Sequence, residues 1–259
     1  MSDSSGGTGF PGAPPPPPPP NMAAPPGYVP YGGGNVGAYG SFQSIGGLSK
    51  AIRVLIIILI PVLLILLFLH VSVKSAAQDY IDDITGVGKY NDALAPYGLL
   101  SIVSGLLQLT LFVLTIIWMF RMAKNQINLR RAGTWGPAWA IAGWFLPPCV
   151  LYVIPYLMLR DLWKASDPNS GEDWKRNPVG PIVHVWWVLF GLVPIAFISV
   201  TIGNFNFNAD KDDLDTAQDV VDGFNITFAA TAVQVVAAVA FLLLVTQLSA
   251  RHKQAINES

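Results

Sequence analysis

Charge is what this sequence has least of. Only 12 % of its 259 residues are Asp, Glu, Lys or Arg, against 52 % that are hydrophobic, whereas soluble proteins carry about a quarter charged. Water cannot be the only solvent of such a chain, and a sequence with no basic stripe is a poor partner for nucleic acid. Cysteine is nearly absent. The single Cys149 lies in an apolar stretch, which excludes an intrachain disulfide and reads as a small core residue. Three histidines, His70, His184 and His252, stand far apart, and none pairs with Cys, Asp or Glu at zinc-ligand spacing. A phosphate loop, a Ser nucleophile elbow and an HExxH helix are also missing. No cofactor is expected, and an enzyme is not. Nor does a basic segment precede an apolar one near Met1, so no cleavable signal peptide is expected.

What is abundant comes in blocks. Residues 1–49 are rich in Gly and Pro, with an unbroken run from Pro14 to Pro20. Such a run favours an extended left-handed helix of about 3.1 Å per residue. This block reads as a disordered tail, with a protein partner as its functional reading. Residues 50–250 then read as a polytopic membrane domain, and 251–259 as a short tail. Within the domain, Ala51 to Val73, Gly98 to Phe120, Pro181 to Gly203 and Phe224 to Leu248 each supply the roughly 20 apolar residues that cross a hydrocarbon core as a helix. The expected fold class is therefore an all-α membrane protein with four transmembrane helices.

A fifth apolar stretch, Ala138 to Leu159, is interrupted by Pro147, Pro148 and Pro155. Each interior proline removes a helical hydrogen bond at a cost of about 3 kcal/mol. Residues 135–164 thus read as a proline-broken re-entrant or interfacial segment, with Trp135–Leu146 and Cys149–Lys164 as its arms. Lys and Arg collect in loops retained in the cytoplasm. If the segment returns to its starting side, Lys50, Arg53, Arg121, Lys124, Arg130, Arg131, Arg160, Lys164, Lys175, Arg176, Arg251 and Lys253 fall on one side and only Lys74, Lys89 and Lys211 on the other. Both termini are then expected in the cytoplasm. All eight tryptophans, including Trp139, Trp144 and Trp163, lie between Trp118 and Trp187 and are expected to gather as a cap at the inner interface.

Polar residues inside the spans are few. Gln108 and Gln234 share faces with small residues, Ser101 and Gly105 in one case, Thr227, Ala230 and Ala237 in the other. That pattern predicts buried amides that meet across helices; the rival reading is the lining of a solute path. His70 and His252 are expected to be solvated. The Asp-rich stretch Asn204 to Gly223 lacks the glycine and the terminal glutamate of a calcium loop, and reads as the acidic first turn of the last helix.

Asn125-Gln126-Ile127-Asn128-Leu129-Arg130-Arg131, then Trp135-Gly136-Pro137-Ala138-Trp139, Gly143-Trp144-Phe145-Leu146-Pro147-Pro148, Leu162-Trp163-Lys164-Ala165-Ser166 and Trp186-Trp187 together resemble a bacterial membrane family known as domain of unknown function 4328. Lys164 stands where the family pattern has arginine. The resemblance implies a bacterial inner-membrane location and supplies no activity. The expected role is that of a non-enzymatic membrane protein with a Trp-rich cytoplasmic face and a flexible tail, contacting the bilayer and a partner. The alternative is a transporter or channel for a small uncharged solute.

Overall fold

The computed structural model describes residues 41–145, 153–171, 173–192 and 212–258. Among these residues the chain is helical and has no strand. The elements are α1 (Gly46–Ile81), α2 (Val87–Asn128), α3 (Trp139–Ala142), α4 (Val153–Ala165), a 3-10 turn at Trp174–Arg176, α5 (Pro181–Trp187, continued as a π-helical turn over Val188–Leu192) and α6 (Asp213–Ala255).

α1 is the central rod and packs against both α2 and α6. Its buried positions are Ser49, Ile52, Ile56, Leu59, Leu63, Leu66, His70, Val73 and Ala77. They alternate at three and four residues, the heptad spacing that keeps one seam turned to antiparallel neighbours. Outside the seam the helices are apolar and exposed: Val54, Ile57, Ile58, Leu64, Ile65, Phe68 and Val71 on α1, and Leu99, Ile102, Val103, Leu106, Leu109, Val113 and Ile117 on α2. At 1.5 Å per residue each exposed band is about 26 Å tall. An uncovered apolar belt of that height has no place in water and matches a bilayer interior.

Three helices, α1, α2 and α6, are long and apolar enough to cross a membrane, where the sequence predicts four. The expected span 181–203 appears as the shorter apolar helix Pro181–Gly191, and its remainder lies outside the described residues. The proline-broken segment is described only in part. Its first arm is one helical turn, α3, and its second is α4. The Pro147–Pro148 corner and Cys149 lie outside the described residues, as does the tail up to residue 40. Pro155 is buried within α4.

The helices outlast the belt at both ends. At one end α1, α2 and α6 form an acidic stub around Val73, Ala77, Tyr90 and Ala217, with Tyr80 and Tyr90 stacked at 5.9 Å. Asp212 caps α6, its carboxylate accepting from the Asp215 N–H at 2.8 Å. From Asp212 onward the acidic stretch opens the last helix, with Asp213 and Asp215 in its first turn, as the sequence predicts. His70 is buried rather than solvated, between the Tyr97 and Phe224 rings. The other end carries the start of α1, the ends of α2 and α6, and all of α4.

Candidate functional site

The basic end is knitted together by side chains that replace regular structure where four chain segments converge. Asn125, near the end of α2, is fully buried. Its Oδ1 accepts from the Gln43 N–H at 2.7 Å and its Nδ2 donates to the Gln43 carbonyl at 2.9 Å. This two-point pairing fixes the amide's orientation, and it directs the second Nδ2 hydrogen to His252 Nε2 at 3.2 Å. The imidazole must accept there. Its Nδ1 therefore carries the proton and donates to Ser166 Oγ at 2.8 Å. His252 and Ser166 are both completely buried. Burial lowers the His252 pKa from 6.5 to about 4, with Glu258 opposing and Arg131 reinforcing, so the ring is neutral at physiological pH.

Around this hub every flanking strap is tied. Arg131 donates to the carbonyls of Ala165 and Asp167 at 2.8 and 2.7 Å, and also to that of Ser170. It thereby closes the exposed end of α4. Burial lowers its pKa, with Asp167 opposing. Gln126 Nε2 donates to the Asp161 carbonyl at 3.1 Å, and the Asp161 carboxylate accepts from the Thr134 N–H at 3.0 Å. Arg251 pairs with Asp167 at 3.1 Å and lies over the Trp163 ring. Glu258 accepts from Ser44 Oγ and from the N–H groups of Ile45 and Gly46, at 2.6, 3.0 and 2.8 Å, capping α1 from beyond the end of α6. Burial works against its ionisation, but these hydrogen bonds and Lys253 outweigh it and hold the carboxyl below its usual range.

The tryptophans mostly fill this end rather than decorate it. Trp118 is wholly buried and donates to Ser249 Oγ at 3.2 Å. Trp144, Trp163, Trp174 and Trp186 are also buried. Trp144 meets Phe112 edge-on at 5.4 Å, and the Trp163 ring covers Gly180, where no side chain would fit. Only Trp139 is plainly exposed, its ring edge-on to Trp135. The anticipated Trp-rich face is thus largely an interior.

The two glutamines do not meet. Both are exposed, and Gln108 folds back to donate to Ser104 on its own helix at 3.0 Å. The reason they stay apart is the order of packing: α1 lies between α2 and α6 and contacts both. His252 corrects the sequence reading in the opposite sense, because it lies inside the core and not in solvent. A signal was available. Leu244, Leu248 and His252 recur every fourth residue beside Val245 and Ser249, which places His252 on the buried stripe of α6. Chemically, a Ser and a His in hydrogen-bond contact suggest a nucleophile and its base, yet neither side chain exposes surface to a reactant. Among the described residues no three His, Cys, Asp or Glu side chains gather as a metal would require.

No curated protein and no solved structure matches the chain. A family model described as Domain of unknown function (DUF4328) matches residues 87–250.

Proposed function

Since the chain belongs to the DUF4328 family, whose description carries no activity, we propose from its geometry that it is a non-enzymatic scaffold of the bacterial inner membrane. In this reading both termini lie in the cytoplasm, and the inner cap and the Pro-rich tail contact a partner or organise the membrane. The observation that carries this reading is the hub of Asn125, Ser166 and His252, which ties four segments together at one end with no accessible reactive group.

The topology is supported by where the chain turns. Arg131 and Ser166 lie together at the basic end, while Trp144 and Phe145 between them reach Phe112, about 8 Å inside the exposed belt that ends at Ile117. Gly143 and Ile154 then approach so closely that a Cβ on the glycine would lie 2.7 Å from Ile154 Cγ2. This close approach of the two arms supports the reading of a segment that enters and leaves by the same face. Trp139, Ile141 and Phe145 are exposed along it, as suits side chains in contact with lipid. α5 begins at the basic end, where Gly180 meets the Trp163 ring, and Asp212 stands at the acidic end. These two positions support the reading of a fourth passage.

The rival reading is a solute path, and the exposure of Gln108 and Gln234 fits its lining as well as it fits contact with lipid. Cysteine placed at Gln108 or Gln234, in a Cys149→Ser background, tests the choice. A packed scaffold protects both from a membrane-impermeant maleimide applied to either side, while a lipid-soluble reagent reaches them. Aqueous labelling of both from one side would establish a path instead.

A further inference from the structure

We propose that the cleft between α1 and α6 at the basic end binds the headgroup of an anionic phospholipid. It is a cavity of about 330 Å³, and its walls follow from helix spacing. Gly46, Ser49 and Arg53 recur at three and four residues on one face of α1; Thr246, Ser249 and Lys253 do the same on α6. Small residues keep the floor low, which opens a groove between two rods that elsewhere pack tightly.

The level of the cleft is what points to lipid. The two helices are antiparallel, so Arg53 lies beside Thr246 at the deep end and Lys253 beside Gly46 at the shallow end, about 10 Å apart along the axis. Val54, the next residue after Arg53, opens the exposed apolar belt of α1, and Leu243 is exposed on α6 one turn below Thr246. A phosphate held by Arg53 therefore leaves its acyl chains lying against that belt. The charges fit an anion. Among the described residues Arg53 uses only its Nε, donating to the Ser49 carbonyl at 3.3 Å, so its outer amines are available for a phosphate fork. Among the described residues neither Arg53 nor Lys253 has a carboxylate within ion-pair distance. Glu258, the one acid in the wall, is turned to the start of α1 by three hydrogen bonds. Lys253 repels the ammonium of a zwitterionic headgroup and tolerates a neutral one, so the cleft selects phosphatidylglycerol over phosphatidylcholine.

The proposal rests on the membrane reading above but not on its orientation, so the test uses the full chain in detergent micelles, where sidedness plays no part. The measurement is the thermal unfolding midpoint with added phosphatidylglycerol, phosphatidylcholine or inorganic phosphate. Phosphatidylglycerol should raise it by a few degrees and the other two should not. R53Q/K253Q should lose most of that shift, while K50Q/K124Q, an equal loss of charge on exposed positions outside the cleft, should keep it. Should the cleft variant not fold, Ala250→Leu blocks the groove without altering charge and should lose the shift too. A shift that survives in the cleft variants, or falls equally in K50Q/K124Q, overturns the site, and an equal response to inorganic phosphate overturns its assignment to lipid. Failure of the membrane reading would show separately, as aqueous exposure of the belt residue Leu106→Cys in vesicles.

Discussion

At the scale of single residues the determining group is His252. Its neutral form is required by both partners, since Nε2 must accept from Asn125 and Nδ1 must donate to Ser166. Replacing it with Ala leaves two buried polar groups unpaired and a cavity among fully packed neighbours. The expected loss is about 2–4 kcal/mol, measurable as a fall in the unfolding midpoint in detergent, and Asn125→Ala should approach it. The same residue sets a pH dependence. A base whose folded pKa lies near 4, below its unfolded value near 6.5, stabilises the fold fully above pH 6.5. That contribution is lost as pH falls toward 4, because the unfolded chain then binds the proton first. The loss amounts to about 3 kcal/mol over that window. Unfolding midpoints from pH 7 to 4.5 should fall in the natural protein and fall much less in His252→Ala.

At the scale of elements, packing hinges on a few close approaches. α5 can start where it does only because Gly180 presents no Cβ to the Trp163 ring. Gly180→Ala should destabilise the protein by about 1–3 kcal/mol through overpacking, visible as a lowered midpoint and as loss of protection against proteolysis after Lys175 and Arg176, which lie in the 3-10 turn. Much of this level was legible beforehand. Apolar length identified α1, α2 and α6 because a long run of Leu, Ile and Val has few other uses. The acidic stretch that includes Asp212, Asp213 and Asp215 marked a helix start through the helix dipole. What stayed hidden was the partnership of Gln43, Asn125, Ser166 and His252. Each is an unremarkable polar residue near a helix end, and their meeting depends on three-dimensional order across more than two hundred positions. The glutamines misled for the converse reason: small neighbours suggest a packed face, but α1 lies between their two helices and keeps them from meeting.

At the scale of the whole molecule, the division of Lys and Arg agrees with the division of the bundle into a basic and an acidic end, although the two are independent observations. Cysteines at Asn169 and Gly88, both exposed and at opposite ends, should in a Cys149→Ser background label from opposite sides of intact vesicles, with Asn169→Cys facing the cytoplasm. Labelling of both from one side would dissolve the topology. The height of the lipid-facing belt has an elastic consequence. About 26 Å of exposed side chain meets a hydrocarbon layer of about 30 Å, and polar caps closed at both ends prevent the helices from sliding to make up the difference. The surrounding lipid must yield, dimpling inward by a few ångströms at a cost that grows with every ångström of mismatch. Two such dimples cost less when they overlap than when they stand apart. Neighbouring copies would therefore drift together in a stiff bilayer and disperse in one of shorter-chain lipids, without a single direct contact between them.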